Sequence, residues 1–286
     1  MQTIYRPLKE TLPQCAKPDH FLGMKEDVFA RVDGGGEELR ADTSYFWDNS
    51  KRSESNRINL QRTQNGEGFF EDSQRRYSVP AGKIMAFTQR ENSRYGYPAT
   101  ATEPYRLRYL SIDPTATATP LFHRIRHDFG PVLSMPNGSE SASLFDEIFH
   151  RFRQRTFRDR YHESDLITRL LTSIYRQQVE DTQHTDPIEY GYHILHNQFT
   201  NPIKLKDVAS SCGISREHFI RAFSQRFGKS PGAVLRKLRL DHAHSMLQAT
   251  RLPLQQIAEA SGFSTANVFC RSFRNEFGLT PSAVRQ

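Results

Sequence analysis

At 286 residues and 36% hydrophobic content, the chain exceeds a typical single domain, so two domains are the starting expectation. No apolar run approaches the ~18 residues a spanning helix needs, and no charged-then-apolar N-terminus reads as a signal peptide, so a cytoplasmic protein without a membrane partner is expected. Cys15, Cys212 and Cys270 are widely spaced with no CxxC pair, which suggests neither a disulfide framework nor a zinc site. The net charge of +7 is unevenly held: residues 188–286 carry 13 Lys/Arg against 6 Asp/Glu, leaving 26 against 26 in residues 1–187. A polyanionic partner therefore belongs to the C-terminal third, unless that surface is merely solvated.

Residues 1–115 read as β structure, within an N-terminal domain set at residues 1–135. Short segments at Arg57–Arg62, Gly68–Glu71, Tyr77–Val79, Lys83–Phe87 and Arg106–Ile112 alternate with turn signals at Asn65-Gly66, Pro80-Ala-Gly82 and Asp113-Pro114. That spacing predicts an antiparallel sandwich or small barrel, with Gly34-Gly-Gly36 as a flexible turn.

Helical periodicity takes over after Pro136. Leu144, Phe145, Ile148, Phe149 and Phe152 fall on one face, and Leu166, Leu170 and Ile174 on another, which predicts two amphipathic helices within 136–180. The Arg-rich stretch Arg151–Arg160 is read as a solvated helix end rather than a second nucleic-acid site. Residues 181–187, polar and ending in Pro187, read as an interdomain linker, and residues 188–286 as all helical. The fold class is thus α+β: an N-terminal antiparallel β-barrel with accessory helices, then an all-α domain.

Within that last domain the sequence says nearly the same thing twice. Val208–Ser215 with Phe219, Phe223 and Phe227 is echoed by Ile257–Ser264 with Phe269, Phe273 and Phe277. Each copy has a short apolar-sided helix, a turn at Gly213 or Gly262, a capping Ser215 or Ser264, and a second helix with a buried Phe every four residues. Two helix-turn-helix modules are predicted, each laying its second helix in the major groove of double-stranded DNA. Arg216, Glu217 and Arg221, with Gln225 further along, face outward in the first copy; Thr265, Asn267, Arg271 and Arg274 do so in the second. Arg can bond guanine bidentately and Asn can bond adenine. Glu217 could accept from cytosine or orient Arg221 at i+4. Lys229, Arg236, Lys237, Arg239 and Arg274 are read as phosphate contacts.

The segment 188–286, above all Ile257–Ser264, Phe269, Arg271-Ser-Phe273, Phe277-Gly278 and Thr280-Pro281, resembles the DNA-binding domain of the AraC/XylS family of bacterial transcription regulators. The cap-to-first-Phe spacing, four from Ser215 to Phe219 and five from Ser264 to Phe269, matches the family too. The resemblance implies two modules held by a rigid helix from Pro231 to Gln248 and entering successive groove segments. The run from Asn56 to Gly68, Arg76–Gly82, Ser93–Tyr95 and Tyr105–Asp113 are similar, more distantly, to the cupin-like effector domain many members carry. That similarity implies a small-molecule effector, a sugar by family habit, held by Tyr95, Tyr109 and Arg57, to which the lone Trp47 is added by position. It also implies a homodimer, with residues 136–180 as dimerisation and interdomain helices, acting on RNA polymerase as an activator or repressor according to where its site lies.

Three rival functions compete with this reading. A metal-dependent cupin enzyme needs a His pair with a carboxylate and a further His past the turn, but Met85 stands three beyond Gly82 and no HxH precedes it. His123 and His127 have i, i+4 spacing without further ligands and are read as surface residues, so no cofactor or metal is expected. An alkyl-accepting repair protein would need a Cys cluster, and the N-terminal region has only Cys15. A constitutive DNA binder with no effector is left open.

Overall fold

The computed structural model describes residues 28–52 and 57–285; Cys15 and Asn56 lie outside the described residues. Nine strands are described: β1 (Val32–Arg40), β2 (Phe46–Asp48), β3 (Ile58–Asn65), β4 (Glu67–Glu71), β5 (Arg76–Pro80), β6 (Lys83–Thr88), β7 (Arg94–Gly96), β8 (Tyr105–Ile112) and β9 (Val132–Ser134). They form two antiparallel sheets, ordered β1-β8-β3-β6-β9 and β2-β7-β4-β5. The expected barrel is therefore not closed. The chain crosses between sheets at the Asn65-Gly66 turn and returns at Pro80-Ala-Gly82, and the edge strands of one sheet do not pair with those of the other. Gly66 makes the first crossing possible: it sits at φ +70°, and a Cβ there would lie 2.4 Å from the Pro104 carbonyl oxygen.

Strand alternation separates two cores. From β3, β6 and β8, the side chains of Ile58, Leu60, Ile84, Ala86, Leu110 and Ile112 pack outward against helices. Met85, Phe87, Tyr105 and Leu107, on the alternate positions, pack against Phe70, Val79 and Tyr95 of the facing sheet. The run Gly34-Gly-Gly36 is not a turn but part of edge strand β1, where Gly36 pairs with Tyr109 and Gly34 with Ser111. Two of the three positions are crowded: a Cβ on Gly36 would meet the Tyr109 ring at 3.0 Å, and one on Gly35 would meet Phe152 at 3.1 Å.

Helices α1 (Ala118–Phe129), α2 (Glu140–Gln154) and α3 (Arg160–Thr185) cover the five-stranded sheet. Ser139 caps α2 by accepting from the Ala142 N–H, and Asp159 caps α3 by accepting from His162. Arg62, buried within the sheet, reaches Asp146 of α2 at 2.8 Å. The Arg-rich stretch ends α2 with Arg155 in the left-handed region at φ +56°.

The stretch 181–187, expected as a polar linker, is helical except at Asp186, because α3 continues to Thr185 and α4 (Pro187–Gln198) starts at once. Asp186 serves both helices: its N–H donates to Thr182 O, and its side chain accepts from the Glu189 N–H. Pro187 then fits the first turn of α4, where no backbone donor is needed.

Beyond lie α5 (Leu205–Ser211), α6 (Arg216–Phe227), α7 (Pro231–Ala249), α8 (Leu254–Ala260), α9 (Ala266–Phe277) and α10 (Pro281–Val284). The repeat extends further back than the sequence suggested, to one preceding helix per copy. Tyr192 of α4 packs on Phe227 and Phe223 at ring-centroid distances of 4.7 and 6.3 Å. His244 of α7 stands in the same relation to Phe277 and Phe273, at 5.1 and 6.0 Å. Each copy thus has its own three-helix core: Leu195, Val208, Phe219 and Phe223 in one, Leu247, Ile257, Phe269 and Phe273 in the other. Burying each Phe contributes about 1.5–3 kcal/mol.

Candidate DNA-reading face and ligand cavity

The two outward-facing helices of the repeat, α6 and α9, begin at equivalent points. Ser215 caps α6, accepting from the His218 N–H at 3.2 Å. The cap of α9 is Thr265, which accepts from Val268 at 3.2 Å, not Ser264 as expected. The second copy has one more residue between its turn glycine and its cap, so the irregularity lies in the turn. From the caps onward the helices run in strict register, four residues from Ser215 to Phe219 and four from Thr265 to Phe269. Arg221 and Arg271 are equivalent positions, as are Glu217 and Asn267.

Arg216, Glu217, Arg221 and Gln225 are all exposed on α6, and Thr265, Asn267, Arg271 and Arg274 at α9. Of the two roles open to Glu217, orienting Arg221 is not the one seen. Glu217 approaches Arg216 at 3.8 Å, while Arg221 reaches His218 Nδ1 at 3.3 Å. His218 and the apolar Val268, third residues of their helices, are exposed beside these positions and were not among the sequence candidates; Val268 has no side-chain group to bond a base edge. The hydroxyl of Thr265 holds the cap as well as facing outward.

The basic residues assigned to phosphate divide. Lys229 and Arg236 are exposed. Lys237 instead bonds Asp241 at 2.7 Å and reaches Glu276 at 3.4 Å, bracing α7 against α9. Arg239 is turned inward, donating to the carbonyls of Phe199 at 2.6 Å and Asn201 at 2.8 Å, and partial burial lowers its pKa. It stitches the α4 end to α7 and is not available to phosphate. In the first copy, Arg226 of α6 pairs with Asp186 at 2.5 Å and Glu189 at 2.7 Å. Cys212 is buried in the first core, where desolvation pushes its thiol up to about 11, so it packs rather than reacts.

Between the sheets the inward positions change character along the strands. At one end they are apolar, with Leu107, Met85 and Val79. At the other, Asn59, Gln61, Gln89 and Ser111 line a cavity of about 490 Å³, walled by Tyr45, Trp47, Tyr95 and Tyr109. All four residues proposed from the sequence as effector contacts, Trp47, Arg57, Tyr95 and Tyr109, line this one cavity. Gly34 lies on its wall without a side chain to fill it.

Most polar groups here are already engaged. Tyr45 donates to Gln61 Oε1 at 3.4 Å, Gln61 donates to Tyr105 Oη at 3.0 Å, and Ser111 donates to Asn59 Oδ1 at 2.7 Å. Burial pushes the Tyr95 phenol above its ordinary pKa and that of Tyr105 up to about 12, so both stay neutral. Gln89, 5% exposed, keeps its Oε1 without a hydrogen-bond donor. Arg57, expected as a clamp, is tied to Asp33 at 2.5 Å. The sequence overlooked Arg52, which donates to Tyr95 Oη at 2.8 Å and lies 4.5 Å from the Trp47 ring centroid.

Residues 208–286 match the helix-turn-helix domain family. Over 117 residues the chain is 31% identical to the transcriptional regulator ExsA of Pseudomonas aeruginosa, covering 41% of this chain and 40% of ExsA. Over 82 residues it is 38% identical to the transcriptional activator RclR of Escherichia coli, covering 29% of each. The C-terminal domain is an AraC-type helix-turn-helix domain. The chain thus spans two fifths or less of these relatives' own length. A solved AraC-type regulator from Chromobacterium violaceum is 30% identical, with 36% of this chain and 91% of that one covered at a TM-score of 0.33.

The family match begins at Val208 and so takes in α6 and α9 but not α4, whose part in the first core only the packing reveals. Among the described residues no helix is long and apolar enough to cross a membrane. No cluster of three or more metal-ligating side chains occurs among them either, and His127, instead of pairing with His123, bonds Asp128 at 2.8 Å.

Proposed function

We propose that the chain is a cytoplasmic, sequence-specific DNA-binding transcription regulator whose N-terminal domain answers to a small molecule. The carrying observation is the register of α6 and α9, two equivalently capped helices that each hold an exposed Arg at the same position, Arg221 and Arg271. They belong to two helix-turn-helix modules, with Arg216, Glu217, Gln225, Thr265, Asn267 and Arg274 around the base edges. The excess positive charge of the same domain supports a polyanionic partner.

The cavity supports an effector rather than a constitutive binder. It falls within the range of about 300–1,000 Å³ usual for small-molecule sites and combines aromatic walls with a few convergent polar groups. Trp47, Arg57, Tyr95 and Tyr109 are its contacts in this reading, and a sugar is the class the family habit suggests. The ligand acts by shifting a homodimer between arrangements that favour different pairs of half-sites, and so changes access of RNA polymerase. Genome-wide mapping of bound sites with and without a metabolite panel tests this. A consensus with two half-sites per subunit is expected, and occupancy that ignores both sequence and every metabolite would sink it.

A further inference from the structure

We infer that the ligand of the inter-sheet cavity carries a carboxylate, a small polyhydroxy acid rather than a neutral sugar, and that Arg52 receives it. The inference rests on the cavity being the effector site. It starts from the charges that line the cavity: Asp33, Glu38, Lys51, Arg52 and Arg57. Four of the five are neutralised within the protein. Asp33 pairs with Arg57 at 2.5 Å, Glu38 with Arg40 at 2.8 Å, and Lys51 with Asp48 at 3.6 Å. Arg52 has no carboxylate within salt-bridge distance among the described residues, and its guanidinium donates to the neutral Tyr95 phenol.

Its geometry is that of a receptor. The guanidinium is held over Trp47 at 4.5 Å and beside Tyr95 at 5.7 Å to the ring centroids, with one nitrogen fixed by the phenol oxygen. Stacking fixes the plane while leaving most N–H donors unused, the arrangement that takes a carboxylate through two parallel hydrogen bonds. A half-buried cation with no counter-charge among the described residues is poorly solvated there, and an anion brought in by the ligand corrects that. Asp33 and Glu38 do not oppose such a ligand, since each already has its cation.

The polyhydroxy part follows from the rest of the lining. Gln89 Oε1, in a side chain 95% buried by its 5% exposure, lacks a donor, which a ligand hydroxyl supplies. Ser111 and Asn59 offer further polar contacts, while Tyr45 and Tyr109 add aromatic wall of the kind that suits the C–H face of a sugar-like ring.

Trp47 is the only tryptophan of the chain, so tryptophan emission of the full-length protein, excited beyond the tyrosine absorption band, reports on this cavity. Titration with galacturonate and gluconate, against galactose, glucose and glucose 6-phosphate, is the test. The acids are expected to change Trp47 emission saturably and to bind at least about tenfold more tightly than their neutral counterparts. Arg52→Gln, checked for folding by circular dichroism, removes that advantage, and Arg52→Lys restores only part of it. A neutral hexose that binds as tightly as its acid, or an acid whose affinity survives Arg52→Gln, overturns the inference while leaving the cavity as the effector site. Tighter binding of the phosphate ester than of either acid overturns the carboxylate assignment. If no compound of the panel alters emission or operator affinity, both the inference and the effector reading fail.

Discussion

Gly191 sits inside α4, where a glycine costs a helix about 1 kcal/mol relative to alanine, so on propensity alone Gly191→Ala should stabilise the protein. The packing says otherwise. A Cβ at this position would stand 2.3 Å from Phe219 Cε2, 2.8 Å from Cζ and 3.1 Å from Cys212 Sγ. The Phe219 ring is fully buried and lies 5.4 Å from that of Phe223, so it has little room to retreat. Overpacking of this kind costs about 1–3 kcal/mol, and with the ring so confined the upper part of that range applies. Net of the propensity gain, destabilisation of about 1–2 kcal/mol is expected. Urea unfolding followed by far-UV ellipticity, dominated by helix, should show an earlier midpoint. Trp47 emission, which watches the β-domain, should show an unchanged one. An ellipticity midpoint that rises would mean that propensity wins and that Phe219 does not press on α4 as described.

Arg221→Ala and Arg271→Ala should each cost about 1–3 kcal/mol on a cognate site and relax base preference locally. Competition assays would check this, and equal losses on random DNA would make them phosphate contacts. Thr265→Ala should cost about 1 kcal/mol of stability and Ser264→Ala much less, because only Thr265 accepts the Val268 N–H; the reverse order in thermal melts would return the cap to Ser264. Gly34→Val, whose first carbon has only ordinary contacts with Ser111 at 3.6 Å, should leave folding and DNA affinity intact while abolishing ligand-induced change. Persistent ligand response in that variant would move the effector site elsewhere.

The helical domain was legible because its signals are local. Phe219, Phe223 and Phe227 recur at helical spacing and Gly213 precedes a cap, so each element announces itself within a dozen residues. Even so, a one-residue slip put the second cap at Ser264, since two adjacent hydroxyl residues are indistinguishable without the backbone. Strands β1, β2 and β7 and helix α1 were missed for a different reason. β2 and β7 are three residues long, and β1 owes its place to pairing with Tyr109 and Ser111, more than seventy residues away. The partners of Lys237 and Arg239, Glu276 and the Phe199 carbonyl, lie across the domain and leave no local trace in the sequence. The cavity was half legible: its aromatic positions could be found by resemblance, but Arg52 follows a turn and falls in no periodic pattern.

Asp186 is the sole residue between the last helix against the β-domain and the first helix of the DNA-binding domain. A longer tether would let each half tumble in its own volume, and news of a bound ligand would be lost in that freedom. With a single joint there is little slack to absorb a movement. In the proposed reading, a small rotation of α3 would displace α4, and the Arg226 bridges to Asp186 and Glu189 would pass it to α6. In that reading the joint would be the fulcrum of a lever whose far arm is α6.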